Sequence, residues 1–168
     1  MTRFRRSGFS RSCVFAFLCL IGPGTKCAHG QTLTVSAAPS SVNFTLPRNG
    51  VGAGDASITI TTSWLVSLPP LTITLYAFTS STTAALTDGA GHNIPTSKVS
   101  GSANGAGFSA FTGTSTFAAG RSLTIFTQSS LSVAGSRNDT LGLQIDTTSL
   151  ALPPATYHGT LTIRATLL

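Results

Sequence analysis

Polar and apolar residues alternate with a period of two along most of the chain after residue 30, and that period predicts half-buried β-strands. Thr32-Leu33-Thr34-Val35 and Ser41-Val42-Asn43-Phe44 alternate on either side of Pro39, whose missing N–H fits an edge strand that breaks and restarts. Over 57–66, Ile58, Ile60, Thr62, Trp64 and Val66 share one face; after the Pro69-Pro70 break, Leu71, Ile73, Leu75 and Ala77 do the same. Tyr76 and Phe78 make the opposite face of that second strand apolar too. Further strands are predicted at Leu123-Thr124-Ile125-Phe126, at Leu141, Leu143 and Ile145, and from Tyr157 through Gly159, Leu161, Ile163 and Ala165 to Leu167. Gly, Pro, Asn or Asp turns separate them, giving eight or nine strands at the spacing of two packed antiparallel sheets.

Composition agrees. Ser and Thr supply 44 of residues 31–168, and the chain has no Glu, so helix formers are scarce and pleated surfaces are favoured. Two connections stand apart. Asn49-Gly50-Val51-Gly52-Ala53-Gly54-Asp55 reads as a Gly-rich turn between two strands, and 100–120 carries five glycines among Phe108, Phe111 and Phe117, long for a hairpin loop. The second is expected to be mobile or framework, with ligand binding as the alternative. No internal repeat or linker divides residues 31–168, which form one domain of a size that needs no covalent staples.

The first thirty residues follow a different order. Arg3, Arg5, Arg6 and Arg11 precede the apolar run 13–21, and a Gly/Pro-containing stretch ends at Ala28-His29-Gly30. That order predicts a cleavable signal helix over 1–30 with the cut before Gln31; the run is too short to span a bilayer, which needs about 20 residues. Removing the segment changes the charge picture. The chain carries +6, but Arg48, Lys98, Arg121, Arg137 and Arg164 against Asp55, Asp88, Asp139 and Asp146 leave +1 on residues 31–168. The basic balance therefore belongs to targeting, and no nucleic-acid partner is implied. Cys13, Cys19 and Cys27 all precede the cut, so neither a disulfide nor a thiolate metal site is expected in the mature form.

Candidate chemistry is sparse. With no Glu, paired-carboxylate catalysis would need the four aspartates, and Asp55, Asp88 and Asp139 each sit in turn-like sequence where Asp accepts local backbone N–H groups. Asp146 is placed to open a loop. No G-x-S-x-G is present for a serine nucleophile. His158 is expected to be an exposed strand residue, and Asp88-Gly89-Ala90-Gly91-His92-Asn93 lacks the alternate carboxylates and closing Glu of a calcium loop, so a tight turn is expected there. No cofactor, metal or enzymatic activity is implied. Trp64, alternating with isoleucines, is expected in the core. Tyr76, Phe108, Phe111 and Phe117 are the candidates for an exposed aromatic platform.

The segment Leu152-Pro153-Pro154-Ala155-Thr156-Tyr157-His158-Gly159-Thr160-Leu161-Thr162-Ile163 resembles the closing hairpin of bacterial exported immunoglobulin-like domains, with a proline turn, a T-Y-x-G step and an alternating last strand. It is also similar to the tyrosine corner of immunoglobulin folds, Gly159 standing where an antibody domain carries Cys. The resemblance implies an immunoglobulin-like sandwich, a ring of Tyr157 packed over its end and a hydroxyl bonded to backbone upstream. Related sandwiches serve as pilus subunits, adhesins and carbohydrate modules. The expected function is a structural or interaction protein, exported to the periplasm, cell surface or exterior, with no membrane span in its mature form. It binds protein or glycan through sheet edges or loops and self-associates through edges, with Leu33 and Val35 on a donated strand. A carbohydrate-binding module using the exposed aromatics is the alternative.

Overall fold

The computed structural model describes residues 2–5, 31–66, 71–114, 117–130 and 132–168. Among these, fourteen strands follow in chain order: β1 (Thr2–Arg5), β2 (Thr32–Ala38), β3 (Ser41–Phe44), β4 (Val51–Ala53), β5 (Ile58–Leu65), β6 (Leu71–Thr79), β7 (Leu86–Thr87), β8 (Asn93–Ile94), β9 (Val99–Ala103), β10 (Ser109–Ala110), β11 (Ser122–Ser130), β12 (Ala134–Asp146), β13 (His158–Gly159) and β14 (Leu161–Leu167). A single 3-10 turn, Thr96–Lys98, precedes β9. The protein is all-β, as the alternation predicts. The strand number exceeds eight or nine because β7, β8, β10 and β13 are two-residue pairings and two longer runs are each split in two.

The strands form three sheets. One runs β10-β9-β12-β5-β2 with β4 also on β12; a second runs β11-β6-β14; a third runs β3-β1-β13-β7-β8. Every pairing is antiparallel except β1 beside β13. Two runs change sheet. Residues 32–44 leave β5 and continue as β3 after a cis Ala38–Pro39 peptide, and residues 158–167 leave β7 and continue beside β6. These shared runs stitch the sheets into a sandwich-like stack around one core. Ile58, Ile60 and Trp64 of β5 and Leu141, Leu143 and Ile145 of β12 meet Ile73, Leu75 and Ala77 of β6, Phe126 of β11 and Leu161 of β14 within it. The strand face predicted at 58–66 is therefore the core face.

Three local expectations change. The Gly-rich stretch 49–55 is not all turn: β4 lies within it and pairs with the last three residues of β12. Segment 100–120, expected to be mobile or framework, begins inside β9, turns back at 104–108 into β10, and sends Phe111 into the core. In β11 the register slips between Thr124 and Phe126, a bulge that lets Ile125 and Phe126 both be buried where strict alternation would expose one. Lastly, residues 2–5 of the expected signal helix form strand β1; the apolar run and the three cysteines lie outside the described residues.

Trp64 shows how tightly the sheet faces are set. Its indole N–H is buried with no hydrogen-bond partner, so packing alone holds the ring. Gly135 stands opposite it in register, and a Cβ there would lie 2.3 Å from Cζ2 and 2.7 Å from Cε2 of the indole. The ring thus rests on bare backbone of β12. Gly135→Ala is predicted to cost about 1–3 kcal/mol through overpacking. Gly107→Ala, with no neighbour within 4 Å of the added carbon, should stay within about 0.5 kcal/mol. Urea denaturation midpoints of the two variants check the difference, and equal losses would contradict this seating of the ring.

Candidate functional site

The most distinctive surface feature is a strand-wide slot in the third sheet. Ser41, Val42, Asn43 and Phe44 form β3 because Val42 and Phe44 bury themselves in the core, turning Ser41 and Asn43 outward. Asp55 fixes this strand from the neighbouring turn: its carboxylate accepts the Asn43 backbone N–H at 2.9 Å and the Asn43 side-chain amide at 2.7 Å. Those bonds hold the Asp55 carboxyl below the usual carboxylate range. The far wall is β13, anchored by Tyr157 and Gly159. Tyr157 is buried and its hydroxyl donates to the Pro153 carbonyl at 3.2 Å, the upstream backbone bond expected of it. At Gly159 a Cβ would meet the Ala85 carbonyl oxygen at 2.1 Å, so only glycine lets β7 approach so closely.

Strand β1 occupies this slot. It pairs antiparallel to β3, Thr2 opposite Phe44 and Arg5 opposite Ser41, and parallel to β13, Arg3 opposite His158 and Phe4 opposite Gly159. At the Thr2 end both walls run on past the strand: β3 continues into 45–48, and β13 is preceded by 152–157. Those two flanks line a groove of about 810 Å³. The groove is thus the extension of the slot.

The candidate donor residues Leu33 and Val35 are half-buried on β2 and pack against their own core, and β2 pairs with β5 along its whole length, from Thr32 opposite Leu65 to Ala38 opposite Thr59. The aromatic candidates separate. Phe111 is 1% exposed and belongs to the core, and Tyr76 is buried, so neither offers a ring to solvent. The aromatic outer face of β6 is covered rather than open: Phe117 stacks on Phe78 at 3.8 Å between centroids and meets Tyr76 edge-on at 5.9 Å. Phe108, 47% exposed, stands apart from this cluster on the turn leading into β10. The four candidate rings therefore do not form one platform: Phe111 is in the core, Tyr76 lies buried beside Phe117, and Phe108 stands apart.

His158 is exposed, as expected for its strand position. His92 does reach an aspartate: its Nδ1 lies 2.6 Å from Asp88 Oδ2. The pair closes the β7–β8 turn, where Asp88 Oδ1 also accepts the backbone N–H groups of Ala90 and His92. Burial pushes the Asp88 carboxyl upward, but these hydrogen bonds and the nearby His92 outweigh it and leave the group below its ordinary value. Neither residue lines the groove. Among the described residues no three His, Cys, Asp or Glu side chains gather to hold a metal ion.

Asp139 departs most from its sequence reading. It is not in a turn but in the middle of β12, 1% exposed on the core-facing side. Arg137, two residues earlier on the same face, grips it with both arms, Nη2 to Oδ1 at 2.6 Å and Nε to Oδ2 at 2.8 Å. Asn104 adds a third donor at 2.8 Å while its amide oxygen accepts the Thr140 N–H. The guanidinium carbon lies 3.8 Å from the centroid of Phe126 on the opposing sheet. The only sequence signal was the two-residue spacing of the opposite charges, which places both on one strand face.

No family model, no curated protein and no solved structure matches the chain at a significant level.

Two outcomes follow from these geometries. Arg137→Met leaves the Asp139 carboxylate buried without its counter-ion and should cost about 3–5 kcal/mol; the double variant Arg137→Met/Asp139→Leu should regain most of that in chemical denaturation. A double variant no more stable than the single one would show that the pair is not the source of the loss. For Tyr157, burial first and then the negative charge of Asp88 hold the phenol above the ordinary tyrosine value. The folded state thus favours the neutral ring: its contribution is complete below about pH 10, the unfolded tyrosine value, and is lost as pH rises through the higher folded value. Tyr157→Phe should lower the melting temperature at neutral pH and close that gap above pH 10, which thermal melts across the alkaline range would read.

Proposed function

We propose that the chain is an exported immunoglobulin-like sandwich protein acting by structural or interaction contacts at the cell surface or in the periplasm, in the manner of a pilus or adhesin subunit. The observation that carries the reading is β1: a strand from the segment outside the main domain is taken up between β3 and β13 by backbone pairing on both of its edges. A sheet that accepts an extended segment in this way is suited to strand addition, in which main-chain bonds supply affinity and side-chain pockets supply specificity. The buried Tyr157 with its upstream hydroxyl bond supports the immunoglobulin-like assignment, since that bond is what a tyrosine corner requires. Export rests on the order of basic, apolar and small residues in 1–30. A glycan-binding role has Phe108 as its one well-exposed candidate ring, and a single ring is a poor stacking platform.

Expression of the full chain in a bacterial host with fractionation tests the export step. The product recovered outside the cytoplasm should begin at Gln31 by intact mass and lack Cys13, Cys19 and Cys27. A chain found only in the cytoplasm and retaining residues 1–30 would overturn the reading.

A further inference from the structure

We infer that the groove between 45–48 and 152–157 is a binding site for an amphipathic carboxylate, whose unbranched acyl chain lies along the apolar walls while its carboxylate meets Arg48. All of the lining comes from these two segments, so the inference does not depend on removal of residues 1–30.

The walls select a hydrocarbon body. Leu46 and Leu152 are half-buried and pack against the core, which anchors one wall each. Pro47, Pro153 and Pro154 have no backbone N–H to offer a ligand. The carbonyls of two of them are already engaged: Thr147 Oγ1 lies 2.7 Å from the Pro47 oxygen and 2.9 Å from that of Gly50, and the Tyr157 hydroxyl donates to Pro153 at 3.2 Å. A peptide or a sugar carries polar groups along its whole length, and against such walls many of them would lose water without gaining a partner. A methylene chain has none to match. The turn after Arg48 is also held in place without a ligand, since Gly50 N–H donates to Thr147 Oγ1 at 3.2 Å and Thr147 N–H to the Gly50 carbonyl at 2.7 Å. At about 810 Å³ the groove lies within the range of small-molecule sites, roughly 300–1,000 Å³.

Arg48 sets the sign of the head group. It is the only charged residue on the lining and it is exposed; among the described residues it has neither an ion pair nor a hydrogen bond. The acidic side chains of residues 31–168 are all engaged elsewhere, Asp55 with Asn43, Asp88 with His92, Asp139 with Arg137 and Asp146 with Lys98. The complement of a guanidinium beside an apolar groove is an anion joined to hydrocarbon, and a planar carboxylate fits the paired N–H groups of arginine.

Isothermal titration calorimetry on the product recovered from expression of the full chain tests the site, with decanoate, decyltrimethylammonium and acetate as probes and the two long-chain ones kept below their micelle concentrations. Decanoate should bind one per chain, about two- to fivefold more tightly than decyltrimethylammonium at low ionic strength, and added salt should narrow that margin. Octanoate should bind more weakly than decanoate, by up to roughly fourfold for each methylene lost, and acetate should show no measurable binding. Arg48→Gln should erase the preference for the anion. Ala155→Asp, at an exposed position of the other wall, should weaken decanoate and spare decyltrimethylammonium. Both substitutions fall on exposed side chains and should leave the melting temperature unchanged, which separates loss of the site from loss of the fold. Equal affinities of the two long-chain probes for the unmodified protein, an undiminished preference in Arg48→Gln, acetate binding as tightly as decanoate, or no binding of decanoate would each overturn the proposal.

Discussion

The layering depends on the corner at Tyr157, His158 and Gly159, where one run of chain has to serve two sheets. Tyr157 is pinned by its buried ring and by its bond to Pro153. Gly159 then lies so close to the Ala85 carbonyl that no side chain fits between them. Only after that approach is made can the chain turn, bury Leu161 and run along β6 as β14. Residues 32–44 make the complementary switch at Pro39. The third sheet is consequently assembled from short ends, β3, β7, β8 and β13, of two to four residues each. Neither run supplies a strand between β3 and β13, and residues 2–5 take that place as β1.

A second constraint is the carboxylate placed inside. Asp139 is tolerated because Arg137 satisfies both oxygens in a planar fork and Asn104 supplies a further donor, while Phe126 covers the guanidinium face. Replacing an isolated buried ion pair by apolar residues is often no worse for stability, so the network is better understood as fixing position. It joins β12 to the turn after β9 through Asn104 and to the opposing sheet through Phe126. Register between the layers is thereby set at the end of the core where Trp64, held by packing alone, cannot set it through hydrogen bonds.

The period-two pattern made the long central strands legible, with the correct inward face for Ile58, Ile60, Thr62 and Trp64, and the T-Y-x-G step made the Tyr157 hydroxyl bond legible. What it could not show shares one cause: pairing partners distant in sequence. β4 is three residues with no alternation of its own and exists because the end of β12 is free to pair there. Ile125 and Phe126 are buried together only because a bulge against β6 rotates one of them inward. Phe111 looked like a loop aromatic until the crossing from β10 toward β11 carried it over the core. Asp139 looked like a turn residue because Asn138 precedes it, although its burial follows from Arg137 and Asn104, one of them 35 residues away. For the slot, the alternation of β3 was visible but its neighbour was not, since nothing in 41–44 marks residues 2–5 as its partner.

Charge offers little to guide a partner on residues 31–168. Asp139 is taken by Arg137, Asp146 by Lys98 at 3.2 Å, Asp88 by His92, and Asp55 by Asn43. The outer face of β5 and β12 is neutral as well, its hydroxyl and amide groups bonded to one another across the strands, as in Thr61 with Asn138 and Ser63 with Ser136. Long-range electrostatic steering needs a net field, and five basic against four largely paired acidic residues provide a weak one. What such a surface offers instead is backbone edges and shape, which act over short range and depend little on salt. The pairing of β1 with β3 and β13 is a contact of that kind, made by backbone groups of segments distant in sequence and set by register rather than by charge.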